Sequence, residues 1–244
     1  MKILPVLAIA LLLTAFVQAE DRETQGLVLP VEHASVSSPV LQEVIEKVVV
    51  KEGDEVKKDD VLVELRHTKE QLAMDEAKQL IKQTEFVFQG MQKLYEGKMG
   101  SQDQALKAKT EYEMAKIRLA LAEEQYREKT IRSPLSGIVT KKYKETGESV
   151  DRVEKVVDII NIDQVYVQFY LDPKYMTALQ VGDEQTVRFS NLAGQQFTGK
   201  IDFIAPQIDA SSNLFQVKLL LDNPGHKIKA GMRGLADFNK LTGK

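Results

Sequence analysis

The side chains in this sequence best suited to metal binding or acid–base catalysis are three histidines and two adjacent pairs of carboxylates. His33, His67 and His226 are far apart, and no two of them have the short spacing of a metal-binding motif. The pairs Asp59-Asp60 and Glu123-Glu124 fall in a turn pattern and on a polar helix face, whereas paired catalytic carboxylates need a shared cleft. We therefore predict a non-enzymatic chain with no catalytic residue, no metal site and no cofactor.

Composition limits the classes of partner and fold. The chain of 244 residues has no cysteine, which excludes a disulfide framework, a thiolate nucleophile and a cysteine-ligated metal. Its net charge is -3 with acidic and basic residues interspersed, so no basic face predicts binding to nucleic acid. Hydrophobic residues make up 43% of the chain, which is enough for one or two modest cores.

Residues 1–19 have the pattern of a secretory signal peptide. Lys2 precedes an apolar run from Ile3 to Val17, and small residues then occupy the positions that a signal peptidase reads, up to Ala19. We predict export with cleavage of this segment. An uncleaved membrane anchor is the alternative, although a run of about 17 residues is at the short limit for crossing a bilayer.

The elements that position the rest of the chain begin with a repeat. The stretch "SPVLQEVIEKVVVKEGDEV" at residues 38–56 is written again as "SPLSGIVTKKYKETGESV" at residues 133–150, with Gly53 aligned on Gly147 and Val56 on Val150. Each copy predicts an apolar strand, a turn at the glycine and a second short strand. Each is too small to bury a face alone, so residues 35–66 and 131–160 are predicted to be two halves of one β-sandwich.

Between the halves, residues 67–130 predict a hairpin of two antiparallel helices. Apolar and small residues recur at steps of three and four in each arm, which is a coiled-coil pattern with helices about 40 Å long. These predicted contact rows are Ala73, Ala77, Leu80, Thr84, Val87, Met91 and Leu94, followed by Ala105, Ala108, Tyr112, Ala115, Leu119, Ala122 and Tyr126. The tip between the arms is "EGKMGSQDQ", in which Ser101 is a candidate helix cap.

Four apolar residues of the arms lie outside these rows. They are Ile81, Phe88, Ile117 and Leu121. Apolar residues away from the helix–helix contact predict a second buried contact, for example with a neighbouring hairpin.

Residues 161–240 predict a small antiparallel β-barrel. Short strands alternate with turn residues over Val165 to Leu171, Thr186 to Ser190, Phe197 to Ile204, Leu214 to Leu221 and Gly234 to Phe238. Residues 20–34 are assigned to a linker ahead of the first half-sandwich. The predicted fold class is therefore mainly β, with a sandwich, an inserted helical hairpin and a barrel.

The motifs of these parts resemble the periplasmic adaptor proteins, also called membrane fusion proteins, of the RND-efflux and HlyD-like kind. The repeated halves are similar to a biotinyl/lipoyl-type domain, and "QVGDEQTVRF" and "LDNPGHKIKAGMRGLADF" are similar to the adaptor barrel. A carrier domain presents a lysine for its cofactor at the turn that the hairpin replaces here. Lys69 lies near that position but begins a helical pattern, so the resemblance implies no cofactor.

The resemblance also implies partners and a location. Such an adaptor lies in the periplasm at the inner membrane, forms a homo-oligomeric ring that is hexameric in the family, and links an inner-membrane transporter of RND or ABC type to an outer-membrane channel. The channel contacts would be at the hairpin tip, in Leu94, Lys98, Ser101, Gln102 and Asp103. Gly90 stands where the family docking pattern has arginine, and Ser212-Asn213 stand where many members have Thr-Arg.

Two other readings stay open from the sequence. One is a non-enzymatic, lipoyl-like binding module for a metal or a lipophile in the periplasm. The other is a carrier domain with a modified lysine, which would add the mass of biotin or lipoate to the mature chain.

Overall fold

The computed structural model describes residues 23–192 and 195–239. Within those ranges the chain forms twelve strands, two α-helices and two short 3-10 turns, so the prediction of a mainly-β fold with a helical insertion is confirmed. The predicted signal peptide, residues 1–19, lies outside the described residues. Contacts divide the chain into two compact units, one of which comprises Leu29–Tyr166 and Asp222–Ala230.

The elements follow one another along the chain in this order: β1 (Thr24–Ser37), β2 (Glu43–Val48), β3 (Glu55–Val56), β4 (Val61–Leu65), α1 (Thr68–Glu96), α2 (Gln102–Arg127), β5 (Thr130–Arg132), β6 (Gly137–Lys142), β7 (Ser149–Val150), β8 (Lys155–Leu171), β9 (Glu184–Phe189), β10 (Gln196–Asp209), β11 (Leu214–Asp222) and β12 (Arg233–Ala236). The 3-10 turns are Pro173–Tyr175 and Pro224–His226.

The two copies of the repeat exchange strands in one sandwich. Strands pair in the order β5, β4, β2, β7 in one sheet, while β3 pairs with β6 and β6 with β8 in the other. Strand β7 of the second copy therefore pairs with β2 of the first, and β3 of the first pairs with β6 of the second. Neither copy can complete a sheet without the other.

Equivalent hydrogen bonds show that the two halves are related by an approximate two-fold symmetry. The amide of Gly53 donates to the carbonyl of Val139 at 2.8 Å, and the amide of Gly147 donates to the carbonyl of Ile45 at 2.9 Å. Both glycines have positive φ, 93° and 89°, as the turn pattern predicted. The sequence repeat is therefore a structural repeat.

One apolar core joins the two halves. Its fully buried members come from both copies of the repeat, which explains why each copy alone is insufficient. They include Ile45, Leu62, Leu65, Ile131, Val139, Val150, Val156 and Ile159.

The second unit contains a closed barrel. Six strands neighbour one another in the order β1, β12, β9, β10, β11, β8, and a further pairing of β8 with β1 closes the ring. Burial alternates along β9 and β11, as expected when one face of each strand points inward. Phe169 and Phe238 meet edge to face in the interior, with ring centroids 5.1 Å apart.

Residues 24–34, which the sequence analysis placed in a linker, are instead part of strand β1. Its residues Thr24 to Leu27 pair antiparallel with β12, and Val28 is fully buried. The strand with which this segment pairs does not follow it after a short turn in the sequence. Because its partner strand lies about two hundred residues later, local pattern could not predict the pairing.

The turn between β10 and β11 is organised by one carboxylate. Asp209 accepts hydrogen bonds from the amides of Ser211 and Ser212 at 3.1 and 2.8 Å, and from their hydroxyls at 2.5 and 2.9 Å. Led by the bond from the Ser211 hydroxyl, these contacts lower the pKa of Asp209 to about 2. A carboxyl group whose pKa is lowered by folding stabilises the turn above its unfolded pKa of 3.8 and loses that effect as the pH falls through about 2.

We expect Asp209→Ala to loosen this turn without unfolding the barrel. Amide hydrogen exchange at Ser211 and Ser212 should become faster by about tenfold, because their charged acceptor is lost. Mass-spectrometric or NMR exchange measures this, with β9 amides as the internal reference. In the wild-type chain the same amides should lose protection only when the pH approaches about 2. Unchanged exchange in the variant would contradict the role of the carboxylate.

Candidate partner-binding site

The two helices pack against each other as an antiparallel pair. The chain reverses direction between Glu96 and Gln102, and helix α2 buries a line of small side chains. These are Ala105, Ala108, Ala115 and Ala122, all members of the predicted α2 row. These alanines alternate along the row with larger side chains that also pack between the helices, among them Leu119 and Tyr126 against the cluster of Met74, Ala77 and Ala122.

In helix α1 the contact differs from the predicted row. Met74 is buried, whereas the predicted Ala73 is exposed. Phe88 stacks on Tyr112 of α2, with ring centroids 5.7 Å apart and planes 11° apart, whereas the predicted Val87 is 39% exposed. The row in α1 is therefore shifted by one position at these two places, because the partner helix decides which of two neighbouring side chains on one face it covers.

The predicted second contact of the off-row residues is wrong for Phe88, which is used within the hairpin. Ile117 and Leu121 are exposed, at 62% and 59%. They remain available surface in the described structure.

The tip is a five-residue turn from Gly97 to Ser101. The amides of Gly97, Lys98 and Met99 donate to carbonyls of the last turn of α1, at 2.8 to 3.0 Å. A Cβ on Gly100 would lie 3.1 Å from Cβ of Leu94, so a glycine permits this close approach. The turn is thus held by backbone contacts, which leaves its side chains free to face a partner.

The structure brings all five predicted tip residues together at this end of the helix pair, and all are exposed. Leu94 belongs to the last turn of α1, and Lys98 has a positive φ of 58° in the turn itself. Ser101 is the N-cap of α2 and accepts a hydrogen bond from the amide of Asp103 at 3.3 Å. Gln102 and Asp103 form the first turn of that helix, where an acidic residue suits the positive end of the helix dipole.

Sequence reasoning missed two apolar residues of the tip. Met99 in the turn is 77% exposed, and Tyr95, near the end of α1, is 40% exposed. Met99 lies between Gly97 and Gly100 in the turn, outside the contact rows of both helices. That position in the sequence could have predicted its exposure. These two side chains give the tip an apolar surface next to Lys98.

Ser101→Ala tests the capping hydrogen bond at the start of α2 separately from the surface that the tip presents to a partner. We expect the free energy of unfolding to fall by about 1 kcal/mol, because the amide of Asp103 loses its acceptor. Urea denaturation followed by far-UV circular dichroism measures this. Ser101→Asp keeps a capping oxygen while changing the tip surface, so it should stay close to wild type. Equal losses in both variants would show that the cap is not the cause.

The base of the helix pair is anchored to the sandwich through Lys129. Its side chain is only 10% exposed, and its Nζ lies 2.6 Å from Oε2 of Glu43 on β2 and 3.1 Å from Oε1 of Glu70 on α1. Its carbonyl accepts from the amide of Leu65 at 2.8 Å. One residue therefore joins the end of α2, the start of α1 and a strand of the sandwich.

Electrostatics favour the charged form of this cluster. Burial alone would raise the pKa of Glu43, but the hydrogen bond from Lys129 and the charges of Lys129 and Arg66 outweigh it and hold the pKa below 4.5. Burial would likewise lower the pKa of Lys129, yet its hydrogen bonds to Glu43 and Glu70 raise it above 10.5. The cluster is thus a paired, charged anchor at neutral pH.

The three histidines occupy separate places. His67 is the residue before α1, where its ring meets Tyr126 edge to face with centroids 5.3 Å apart. His226 lies 2.8 Å from Asp163, and His33 is in β1. In the described ranges no group of three or more histidine, aspartate or glutamate residues is arranged to hold a metal. Lys69 is exposed in the first turn of α1.

Comparison with known families agrees with this arrangement of parts. The family model of the CzcB-like barrel-sandwich hybrid domain matches residues 33–161, and that of the CusB-like β-barrel domain matches residues 164–241. The chain belongs to the periplasmic adaptor, or membrane fusion, protein family. In this adaptor-family chain the helix pair lies inside the matched sandwich domain, between its two halves.

Sequence relatives of this adaptor-family chain are distant and longer. It is 26% identical over 210 residues to an uncharacterized protein of Haemophilus influenzae, covering 86% of this chain and 55% of that protein. It is 23% identical over 136 residues to the UPF0194 membrane protein in the asrC 5′ region of Acidithiobacillus ferridurans, covering 51% of this chain and 40% of that one. The chain spans about half the length of these curated relatives.

Solved structures share the fold. A MacA–MexA chimera that contains the α-hairpin domain of Pseudomonas aeruginosa MexA is similar with a TM-score of 0.78 and 20% identity, covering 88% of this chain and 78% of that one. The membrane fusion protein Spr0693 of Streptococcus pneumoniae R6 has a TM-score of 0.69 and 19% identity, covering 88% and 97%. Neither α1 nor α2, the helices of the described residues, has the length and apolar character needed to cross a bilayer.

Proposed function

We propose that this chain is the periplasmic adaptor subunit of a tripartite efflux or export system. It links an inner-membrane transporter of RND or ABC type to an outer-membrane channel and takes part in transmembrane transport without catalysing a reaction. The observation that carries the proposal is the helix pair between the half-sandwiches, with a backbone-held turn and exposed side chains at its far end.

The helix pair fits a mechanical role. Each helix is long, at 29 and 26 residues, and the line of alanines lets the pair act as a stiff coiled-coil hairpin about 40 Å long. The Lys129 anchor at its base would transmit the position of the sandwich to the tip. Energy for transport would come from the transporter and not from this chain.

The proposed docking surface on the channel side is Leu94, Lys98, Ser101, Gln102 and Asp103, together with Met99. This set combines an apolar centre with both signs of charge, a composition suited to a small protein interface. The transporter side is assigned to the barrel, including the turn around Asn213.

The family and the sequence pattern support a proposed cellular location, domain division and oligomeric state. We assign residues 1–19 to a cleaved signal peptide, which places the mature chain in the periplasm at the inner membrane. The half-sandwiches are assigned to residues 35–66 and 131–160, the hairpin to 67–130 and the barrel to 161–240. Copies of the chain would form a closed homo-oligomeric ring, hexameric as in the family.

Photo-crosslinking in the producing cell tests this function. A photoreactive residue at Ser101 should capture an outer-membrane channel, and one at Asn213 should capture an inner-membrane transporter. The same probe at Glu123, near the base of α2, is the matched control and should capture neither. Deleting the gene should change export or drug susceptibility. If the tip probe captures no channel and deletion leaves both phenotypes unchanged, the proposed function is wrong.

A further inference from the structure

A cavity of about 330 Å³ lies beside strands β3 and β6 and the 3-10 turn Pro224–His226. All of its lining residues belong to the compact unit that contains the sandwich. Its apolar lining includes Val56 and Ile162, both buried, and Ile138. Its polar lining consists of Glu55, Lys57, Asp60, Ser136, Asp163 and His226. An apolar wall with a few polar groups, at this volume, is the usual make-up of a small-molecule site.

The wall on the side of the 3-10 turn is held in place by a buried amide. The side chain of Asn223 is 1% exposed and donates to the carbonyls of Ile162 and Ile228, each at 2.8 Å. Its oxygen accepts from the amide of Ile228 at 2.9 Å. Next to it, Nε2 of His226 lies 2.8 Å from Oδ1 of Asp163, and His226 has a positive φ of 52°. Backbone held in this sparsely populated region is common at ligand sites, and here it makes the wall preformed.

On the opposite wall, Glu55 and Lys57 offer charges of opposite sign. Both are exposed and line the cavity, whereas Val56 between them is buried, as expected when alternate residues of a strand share a face. Among the described residues neither of the two charged groups has an ion-pair or hydrogen-bond partner. Two residues along a strand span about 6.6 Å, so the cavity holds a separated and unpaired carboxylate and ammonium.

The second copy of the repeat shows that the fold does not require these charges. When Val56 is aligned on Val150, Glu55 and Lys57 fall on Ser149 and Asp151. The two turns are built alike, because the backbone amides of residues 57 and 151 each donate to a carboxylate three residues later, at 2.8 and 3.0 Å. The same backbone therefore forms with a polar and an acidic residue at these positions. The opposite charges of the first copy need a reason outside folding.

We propose that this cavity binds a small zwitterion of dipeptide size that carries an apolar side chain. An extended dipeptide spans about 7 Å between its terminal groups, which matches the separation of the two charges along β3. Its ammonium would pair with Glu55 and its carboxylate with Lys57, in charge-assisted hydrogen bonds. Its apolar side chain would contact Ile138 and Ile162. The inference goes beyond the proposed function and does not depend on it.

NMR titration of the full mature chain with alanyl-leucine tests whether the site exists. The amide signals of Gly137 and His226 should shift, with half-saturation near about 1 mM for a ligand of this size. Amides at the equivalent turn of the second copy, Gly147 and Arg152, are the internal reference and should not move. Absence of any shift at about 10 mM dipeptide would overturn the proposal.

Blocking one charge at a time tests how the ligand is recognised. N-acetylation or C-terminal amidation of the dipeptide should each weaken binding to the wild-type chain by about tenfold. Glu55→Gln should bind alanyl-leucine and its N-acetyl form equally, and Lys57→Gln should bind the dipeptide and its amide equally. Lys58→Gln removes a neighbouring charge that does not line the cavity, so this control should keep both preferences.

The remaining outcomes also decide the question. If both blocked forms bind the wild-type chain as well as alanyl-leucine does, the contact is only apolar and the zwitterion site is wrong. If leucine amide, which has no carboxylate, binds as tightly as the dipeptide, the cavity is a cation site instead. None of these measurements involves a channel or a transporter, so the adaptor role is tested separately by the crosslinks from Ser101 and Asn213.

Discussion

Gly137→Ala is expected to lower the free energy of unfolding by about 3 kcal/mol, the largest loss expected from adding a methyl group to any glycine in the described residues. A Cβ at residue 137 would lie 2.3 Å from the carbonyl oxygen of Ile160 and 2.8 Å from its carbon. Both atoms belong to the backbone, so no side chain can rotate away. Strands β6 and β8 would have to separate where Ile138 pairs with Ile160.

The same substitution elsewhere supplies the control. Gly90 is within α1, and a Cβ there has no neighbouring atom within 4 Å. Gly90→Ala should therefore raise stability by about 0.5–1 kcal/mol, since glycine is a poor helix residue. Urea denaturation of both variants measures the difference in sign. A Gly137→Ala chain as stable as wild type would mean that the two strands do not approach this closely.

Lys129→Met is expected to cost about 3 kcal/mol at neutral pH. Methionine fills a similar volume, but Glu43 and Glu70 then keep their charges in a partly buried place without a cation. Lys142→Met is the matched control. Its partner Glu145 is 66% exposed, so solvent screens the pair and the loss should stay within about 1 kcal/mol.

Two measurements distinguish the loss of the Lys129 charge from the loss of its packing: removal of the partner charges, and the dependence of stability on pH. Adding Glu43→Gln and Glu70→Gln to Lys129→Met should recover most of the loss, because no unpaired charge remains.

The lowered pKa of Glu43 stabilises the fold above pH 4.5 and ceases to do so as pH falls through its folded value. The raised pKa of Lys129 contributes below pH 10.5 and is lost as pH rises through its folded value. The Lys129→Met chain should therefore lose less stability on acidification than wild type. A triple variant as unstable as the single one would contradict this account.

Much of the architecture could be predicted because its causes are local. The glycine turns at residues 53 and 147, the strand alternation of the barrel and the two helices depend on residues within a few positions of one another. The repeat added one long-range conclusion, since two half-units that each expose an apolar face must cover each other. The position of the tip was predicted for the same reason, because a turn between two helical patterns must lie at one end of the pair, whereas the choice of its contact residues came from the family resemblance.

The candidate site was less complete. Met99 was missed because its exposure depends on where the turn points. Met74 and Phe88 occupy the helix contact where the pattern predicted Ala73 and Val87, and this depends on which side chain the other helix can accommodate. Periodicity locates the face of a helix to within about one residue, and only the partner helix decides between neighbours on that face.

By itself the sequence determined the order of the parts, the split sandwich, the helical insertion and the family resemblance, because these are written in spacing and turn chemistry. Tertiary structure alone decided that Lys129 meets Glu43 and Glu70, that Gly137 approaches the backbone of Ile160, and that Thr24 to Leu27 pair with strand β12 of the barrel. Each of these contacts joins residues far apart in the chain. Sequence patterns report what neighbouring residues prefer, whereas such contacts depend on the distances that folding sets between segments with no pattern in common.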